Sequence, residues 1–203
     1  MNVEIIDFWE ACVHQYLYVR RVYPEALFVQ QMLYGAHVWF SPQPDINRYV
    51  KRVLKNASAL LDLAIVDRLE LTVTSSSTNI TVERFFLSCS PPTTGPEQEE
   101  DKYDKYDQLE AEMRAALLKI ALTGSLMRAL PDDCTFALAL ATKQCNSADD
   151  RGAIDAALRC GEWKVEGVKQ PAAASSPPLL VVKAFHNSLV GSIQLLVQTA
   201  VSP

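Results

Sequence analysis

An apolar helical row that ends in an aromatic–proline stop constrains this chain more than any other segment. Ile5, Phe8, Trp9, Cys12, Tyr16, Val19 and Tyr23 share one face at helical spacing, and Ile6, Val13 and Leu17 fill a second. A helix apolar nearly all round sits centrally, with other elements packed on several sides. The row closes at Tyr23-Pro24, where the proline lacks the amide hydrogen a helix needs and pushes Tyr23 out of helical geometry.

The 203 residues suffice for one domain that buries roughly 70% of its unfolded surface. A net charge of −5 supplies no bulk basic field for phosphates, so work on DNA would run through another protein and no direct nucleic-acid contact is expected. One local basic cluster is available in Arg20, Arg21, Arg48, Lys51, Arg52 and Lys55. The chain opens with no basic-then-apolar leader and holds no apolar run near the ~20 residues that span a bilayer, so no membrane partner is expected. Cys12, Cys89, Cys134, Cys145 and Cys160 lack paired short spacing and read as reduced thiols, mostly core filler, as in cytosol or nucleus. Asn56-Ala-Ser58 and Asn79-Ile-Thr81 match the glycosylation pattern, which carries no weight without a secretory signal.

A second helix is predicted from about Pro44 to Leu61, with Ile46, Val50, Val53, Leu54, Ala57, Leu60 and Leu61 as its apolar stripe and Tyr49 at the stripe's edge. Alternation at Leu69, Leu71 and Val73 predicts a strand, and a second follows from Ile80 to Cys89 after the polar turn Ser75 to Asn79. The alternation slips around Arg84 to Phe86, which suggests a bulge or burial on both faces. A Pro- and Glu-rich loop runs from Ser90 to Asp101. A third helix then carries Leu109, Met113, Leu117 and Ile120 on one stripe. Cys134, Phe136, Leu138 and Leu140 alternate with small residues as a strand. From Lys143 the character turns polar and, over Gln170 to Pro178, linker-like, before strands return at Leu179 to Phe185 and Ile193 to Val197. A punctuated connection of that length between sheet-forming regions tends to be functional.

Chemistry is hard to find. His14, His37 and His186 are scattered, with no Cys or carboxylate at ligand spacing, so no metal site is expected. No Gly-rich phosphate loop and no Gly-x-Ser-x-Gly elbow occur. Asp132-Asp133 and Asp149-Asp150 read as solvated loop pairs. The expectation is a protein that is not an enzyme and needs no cofactor.

Tyr18-Val-Arg-Arg-Val-Tyr-Pro24, Pro44-Asp-Ile-Asn-Arg-Tyr49, Met113-Arg-Ala-Ala-Leu-Leu-Lys-Ile120 and Cys134-Thr-Phe136 resemble, in that order, HORMA-domain proteins. Within them the chain looks most like the accessory subunits of translesion DNA polymerase zeta. The likeness runs from about Phe8 to Thr142 and is anchored beyond that at Trp163 and Gln194-Leu-Leu-Val197. The closest rival is the spindle-checkpoint HORMA type, which shares the Leu-Tyr and Tyr-Pro framework. Val19 before the first arginine and the Pro-x-x-Asn-x-Tyr pattern favour the polymerase type.

The resemblance implies an α+β HORMA fold, three helices packed on a mainly antiparallel sheet with a C-terminal safety belt. The single domain would span 1–203, with a core over 1–142 and the belt and closing strands over 143–203. It implies a non-catalytic adaptor that holds a short segment of the polymerase zeta catalytic subunit under the belt and bridges it to a Y-family scaffold translesion polymerase. The alternative is a cell-cycle regulator that binds activators of the anaphase-promoting complex. By the same resemblance, Tyr49 and Trp163, with Tyr23 beside them, line the partner-peptide groove. Leu179, Gln194 and Leu196 receive the scaffold polymerase, and Leu196 stands where a tyrosine is usual. Arg114 faces outward and serves pairing with itself or another HORMA protein, and the expected location is the nucleus, with cytoplasm also open.

Overall fold

The computed structural model describes residues 2–90, 102–143, 152 and 179–199. Helix α1 (Asn2–Val19) is central, as its all-round apolarity requires, and every residue from Ala11 to Leu17 is buried. It packs against helix α2 (Pro44–Asp62), helix α3 (Lys102–Leu126) and strand β2 (Ala36–Phe40). Gly124 is what lets α3 lie so close, since a Cβ there would stand 2.7 Å from the Val19 carbonyl oxygen.

The first helix ends earlier than its apolar row suggests. It stops at Val19, short of Tyr23, because Arg21 adopts φ 52° and turns the chain. The Arg21 and Val22 amides donate back to the Tyr18 and Leu17 carbonyls at 3.0 and 3.1 Å, a left-handed cap usually built on glycine. Pro24 therefore follows the helix end rather than causing it.

A hairpin of β1 (Val29–Leu33) and β2 comes next, which the sequence reading did not anticipate. Its two-residue turn, Tyr34-Gly35, has φ 50° and 67°, the doubly positive geometry that matches strand twist. Helix α1 fastens β2 with polar side chains. The Trp39 amide donates to Gln15 Oε1 at 2.9 Å, and the Ser41 amide donates to His14 Nδ1 at 3.3 Å.

The main sheet contains β3 (Val66–Ser75), β4 (Thr81–Ser90), β5 (Cys134–Thr142), β6 (Leu179–Asn187) and β7 (Gly191–Thr199). Its order is β5-β3-β4-β7-β6, antiparallel throughout. One face, carrying Leu69, Leu71, Val73, Phe85, Leu87, Ile193, Leu195 and Val197, joins the helices in a single core. This is the expected arrangement of three helices on a mainly antiparallel sheet. Strand β4 keeps strict alternation from Glu83 to Cys89, so the suspected slip at Arg84 to Phe86 is absent. The irregularity lies at Val82, where pairing jumps from Val73↔Glu83 to Thr74↔Thr81. Residues 91–101 and, save Gly152, residues 144–178 lie outside the described residues, and with them the expected Pro- and Glu-rich loop, Cys145, Cys160, Trp163 and Asp149-Asp150. No helix among the described residues is long and apolar enough to cross a membrane.

Because His14 Nδ1 accepts a hydrogen bond, the ring proton sits on Nε2, which is buried without a hydrogen-bond partner 4.0 Å from Glu10 Oε1. Burial first, and Lys51 second, push His14 down to about 4. A histidine held neutral in the fold stabilises it fully above its unfolded value near 6.5, and that contribution drains away as pH falls toward 4. The loss amounts to roughly 2 kcal/mol between pH 6.5 and 5. Glu10, raised by burial, works in the opposite direction. The difference between wild type and His14→Asn, which keeps an acceptor near Nδ1, therefore isolates the histidine. Urea titrations at stepped pH should show the variant losing about 2 kcal/mol less over that interval.

Candidate functional site

Strand β5 lies at one edge of the sheet and, among the described residues, pairs only with β3. Its Leu138 amide does not join that ladder but donates to the Tyr49 hydroxyl at 2.9 Å. In an antiparallel pair, backbone groups alternate between facing the partner strand and facing away. Leu138 facing away places Phe136 and Leu140 on the same outward side, with Ala137 and Ala139 turned to β3. Among the described residues the edge thus has no strand partner on its outer side, and Tyr49 takes the Leu138 donor that an added strand would use.

An aromatic cluster stands beside that edge. Pro44 at the first turn sets the start of α2, and Tyr49 follows one turn later, half-buried. Its ring meets Phe136 edge-on at 5.6 Å, and the Arg52 guanidinium lies 6.0 Å from its centroid. Tyr23, from the segment after α1, meets Phe136 on another side at 6.0 Å and 80°. The structure therefore brings together two of the three residues expected to line a partner groove, while Trp163 falls outside the described residues. Phe136 joins them as a site residue that the sequence reading assigned only to a strand. Its signal was present, since it is the one aromatic side chain in a strand otherwise built of small and aliphatic residues.

Beneath the cluster runs a buried ion pair. Glu83 takes an inward position on β4 and accepts from Arg20 Nη2 at 2.6 Å and Nε at 2.9 Å. The Tyr16 hydroxyl donates to the same carboxylate at 2.9 Å, and Arg20 Nη2 also donates to the Arg128 carbonyl at 2.6 Å. Burial, and then Glu83, hold the Tyr16 phenol well above its ordinary value. Arg20 is thereby withdrawn from the basic cluster, whose other members stay on the surface. Arg20 is buried and neutralised, Arg21 pairs with Glu25, Arg48 with Asp45, and Lys51 approaches Glu10 at 3.9 Å.

Leu179, Gln194 and Leu196 lie on the face of the sheet turned away from α1, α2 and α3. Leu196 sits between Val181 and Phe86 in direct cross-strand register, giving an apolar row over three strands. Leu179 opposes Gln198, and Gln194 opposes Ser88. Leu195 rather than Leu196 is the core residue here. Arg114 is exposed on α3, its guanidinium near Gly35 of the hairpin turn, and Leu118, Leu122 and Leu126 continue outward along the helix.

Reactive chemistry does not gather at any of these places. Among the described residues no three His, Cys, Asp or Glu side chains converge on a metal-sized site. Burial raises the Cys12 thiol well above its ordinary value and Cys89 to about 11, which keeps both protonated. Asp133 is more than a solvated loop residue. It accepts from the Ser75 hydroxyl and the Ser77 amide, tying the β3–β4 turn to the start of β5.

No protein-family model matches the chain. "DNA polymerase zeta subunit 2" of Drosophila melanogaster is 30% identical over 141 residues, covering 69% of each chain. "Mitotic spindle assembly checkpoint protein MAD2B" of Bos taurus is 28% identical over 140 residues, and the match spans 64% of its length, just under two thirds. A chain in "Crystal Structure of Mitotic Checkpoint Complex" superimposes with a TM-score of 0.75 at 18% identity, covering 98% of both chains. One in "Structure of C. elegans HTP-2 bound to HIM-3 closure motif, P21 form" does so with a TM-score of 0.69 at 8% identity, over 98% of this chain and 89% of that one.

Removing one partner of a buried ion pair leaves an uncompensated charge and typically costs 3–5 kcal/mol, whereas removing both costs less. Glu83→Ala should therefore destabilise by roughly 4 kcal/mol, and Glu83→Ala with Arg20→Met by clearly less, in a denaturant double-mutant cycle. Equal or additive losses would contradict the pairing.

Proposed function

As a member of the HORMA-domain family of DNA polymerase zeta accessory subunits, this chain is, we propose, a non-catalytic adaptor in translesion synthesis. It captures an extended segment of the polymerase zeta catalytic subunit along the β5 edge and bridges it to a Y-family scaffold polymerase. The observation that carries the reading is the β5 edge, on whose outer side no described strand pairs, with Tyr23, Tyr49 and Phe136 packed beside it. Strand addition supplies backbone hydrogen bonds for grip, and aromatic pockets choose the side chains.

Topology supports a belt. The chain leaves β5 at one edge of the sheet and returns as β6 at the opposite edge, four strand spacings or roughly 19 Å away. Residues 144–178 make that passage, so a segment seated on β5 lies next to where the passage begins. Trp163 is assigned to the belt side of the groove. A HORMA-fold neighbour solved with a closure motif is consistent with this mode of capture.

The scaffold polymerase is assigned to the outer face at Leu179, Gln194 and Leu196, where Val181 and Phe86 extend the apolar row. Pairing with a second HORMA domain is assigned to Arg114 on α3, and the setting to the nucleus, with cytoplasm also included. A checkpoint role through anaphase-promoting-complex activators is the second reading, favoured by the checkpoint names that the vertebrate relatives carry.

Calorimetry with peptides tiling the polymerase zeta catalytic subunit, beside peptides from anaphase-promoting-complex activators, separates the two readings. Tyr49→Ala and Trp163→Ala should each weaken capture of a polymerase peptide by ~2 kcal/mol while the domain stays folded. Leu196→Asp should abolish binding of the scaffold polymerase and spare peptide capture. Preference for activator peptides, or full affinity in both aromatic variants, would reject the polymerase reading.

A further inference from the structure

Tyr49 does more than line the edge. Its hydroxyl oxygen already occupies the Leu138 N–H, which points away from β3 and is the donor that an incoming strand's carbonyl would seek. The ring is held over that position by Phe136 on one side and the Arg52 guanidinium on the other. A tyrosine hydroxyl can both donate and accept, so it can satisfy a lone edge amide as water would, but from a fixed position. An unpaired edge amide invites the wrong strand, and natural sheets cover such edges.

We propose that Tyr49 is a gate on the β5 edge: its hydroxyl caps the Leu138 amide in the free domain, and a captured segment must displace it with a backbone carbonyl. The inference rests on the reading that β5 is the docking edge, and adds how access to it is set. The gate lowers the apparent affinity of every strand by the fraction of molecules in which the amide is free. Strands that align a carbonyl with Leu138 recover the lost bond, and those out of register do not. The Tyr49 ring, freed from its hydrogen bond, remains available to pack on the captured segment beside Phe136 and Tyr23.

Tyr49→Phe keeps the ring and removes the cap, whereas Tyr49→Ala removes both. Two measurements test the gate. In the free protein, amide exchange followed by NMR should show Leu138 exchanging severalfold faster in Tyr49→Phe than in wild type, with Ala137 and Ala139 unchanged. With synthetic peptides tiling the polymerase zeta catalytic subunit, Tyr49→Phe should bind about fivefold tighter than wild type, and Tyr49→Ala more weakly. Unchanged Leu138 exchange in Tyr49→Phe overturns the gate whatever the peptides do. Equal or weaker binding by Tyr49→Phe, alongside weaker binding by Tyr49→Ala, also overturns the gate and leaves the docking edge standing. If no peptide binds wild type, or neither variant changes affinity, the docking edge itself is wrong and the gate falls with it.

Discussion

The buried pairing of Arg20 with Glu83 fixes the geometry on which the rest of this domain depends. Its guanidinium joins three separate parts of the chain: the end of α1, strand β4 through Glu83, and the approach to β5 through the Arg128 carbonyl. Both ionised groups are almost fully removed from water, with side chains 2% and 4% exposed, so each must have the other or bear a large desolvation cost. Tyr16 satisfies a further position on the carboxylate and stacks on Phe85 at 4.4 Å, which locks the pair into the core. Held this way, the chain turns sharply after α1 and delivers Tyr23 to Phe136. Breaking such a pair by removing one partner leaves an uncompensated buried charge, whereas replacing both with apolar residues is often neutral.

From that anchor the two sides of the sheet acquire different characters. On the β5 side no described strand pairs with the outer edge and the neighbouring surface is aromatic, a combination suited to extended chains. On the β6 and β7 side the face turned away from α1, α2 and α3 carries Val181, Leu196 and Phe86 in one row, with Arg68 over the Phe86 ring at 5.4 Å, a combination suited to a preformed surface. An adaptor needs two such places that do not compete. The five-strand order puts β3 between the β5 edge and Phe86 on β4, and the row lies on the face turned away from the helices.

Much of this was legible in the sequence where a single period governs a segment. Helix α2 buries Val50, Val53, Leu54, Ala57, Leu60 and Leu61 as its stripe requires, and α3 buries Leu109, Met113, Leu117 and Ile120. Local pattern failed where a distant partner decides. The end of α1 lies before the end of its apolar row because Arg21, not a glycine, takes the left-handed turn. Glu83 disguised the alternation of β4, since a charge on the inward face reads as outward until its partner is known. The hairpin at Tyr34-Gly35 was passed over, although a glycine between two short β-prone runs is a turn signal. Tyr49 was legible as an edge residue of its helix. Its hydrogen bond to Leu138 was not, because α2 and β5 meet only in the folded chain. The likeness to known proteins supplied what periodicity cannot, the family to which the chain belongs.

The central claim is that a partner segment adds to β5 as a strand, and hydrogen exchange of the β5 amides in the complex tests it most directly. Strand addition protects alternate residues: Phe136 and Leu140 should become slow to exchange when a polymerase zeta peptide binds, while Leu138, already capped by the Tyr49 hydroxyl, and Ala137 and Ala139, already bonded to β3, should change less. Uniform protection along β5, or new protection confined to β6, would contradict capture at this edge.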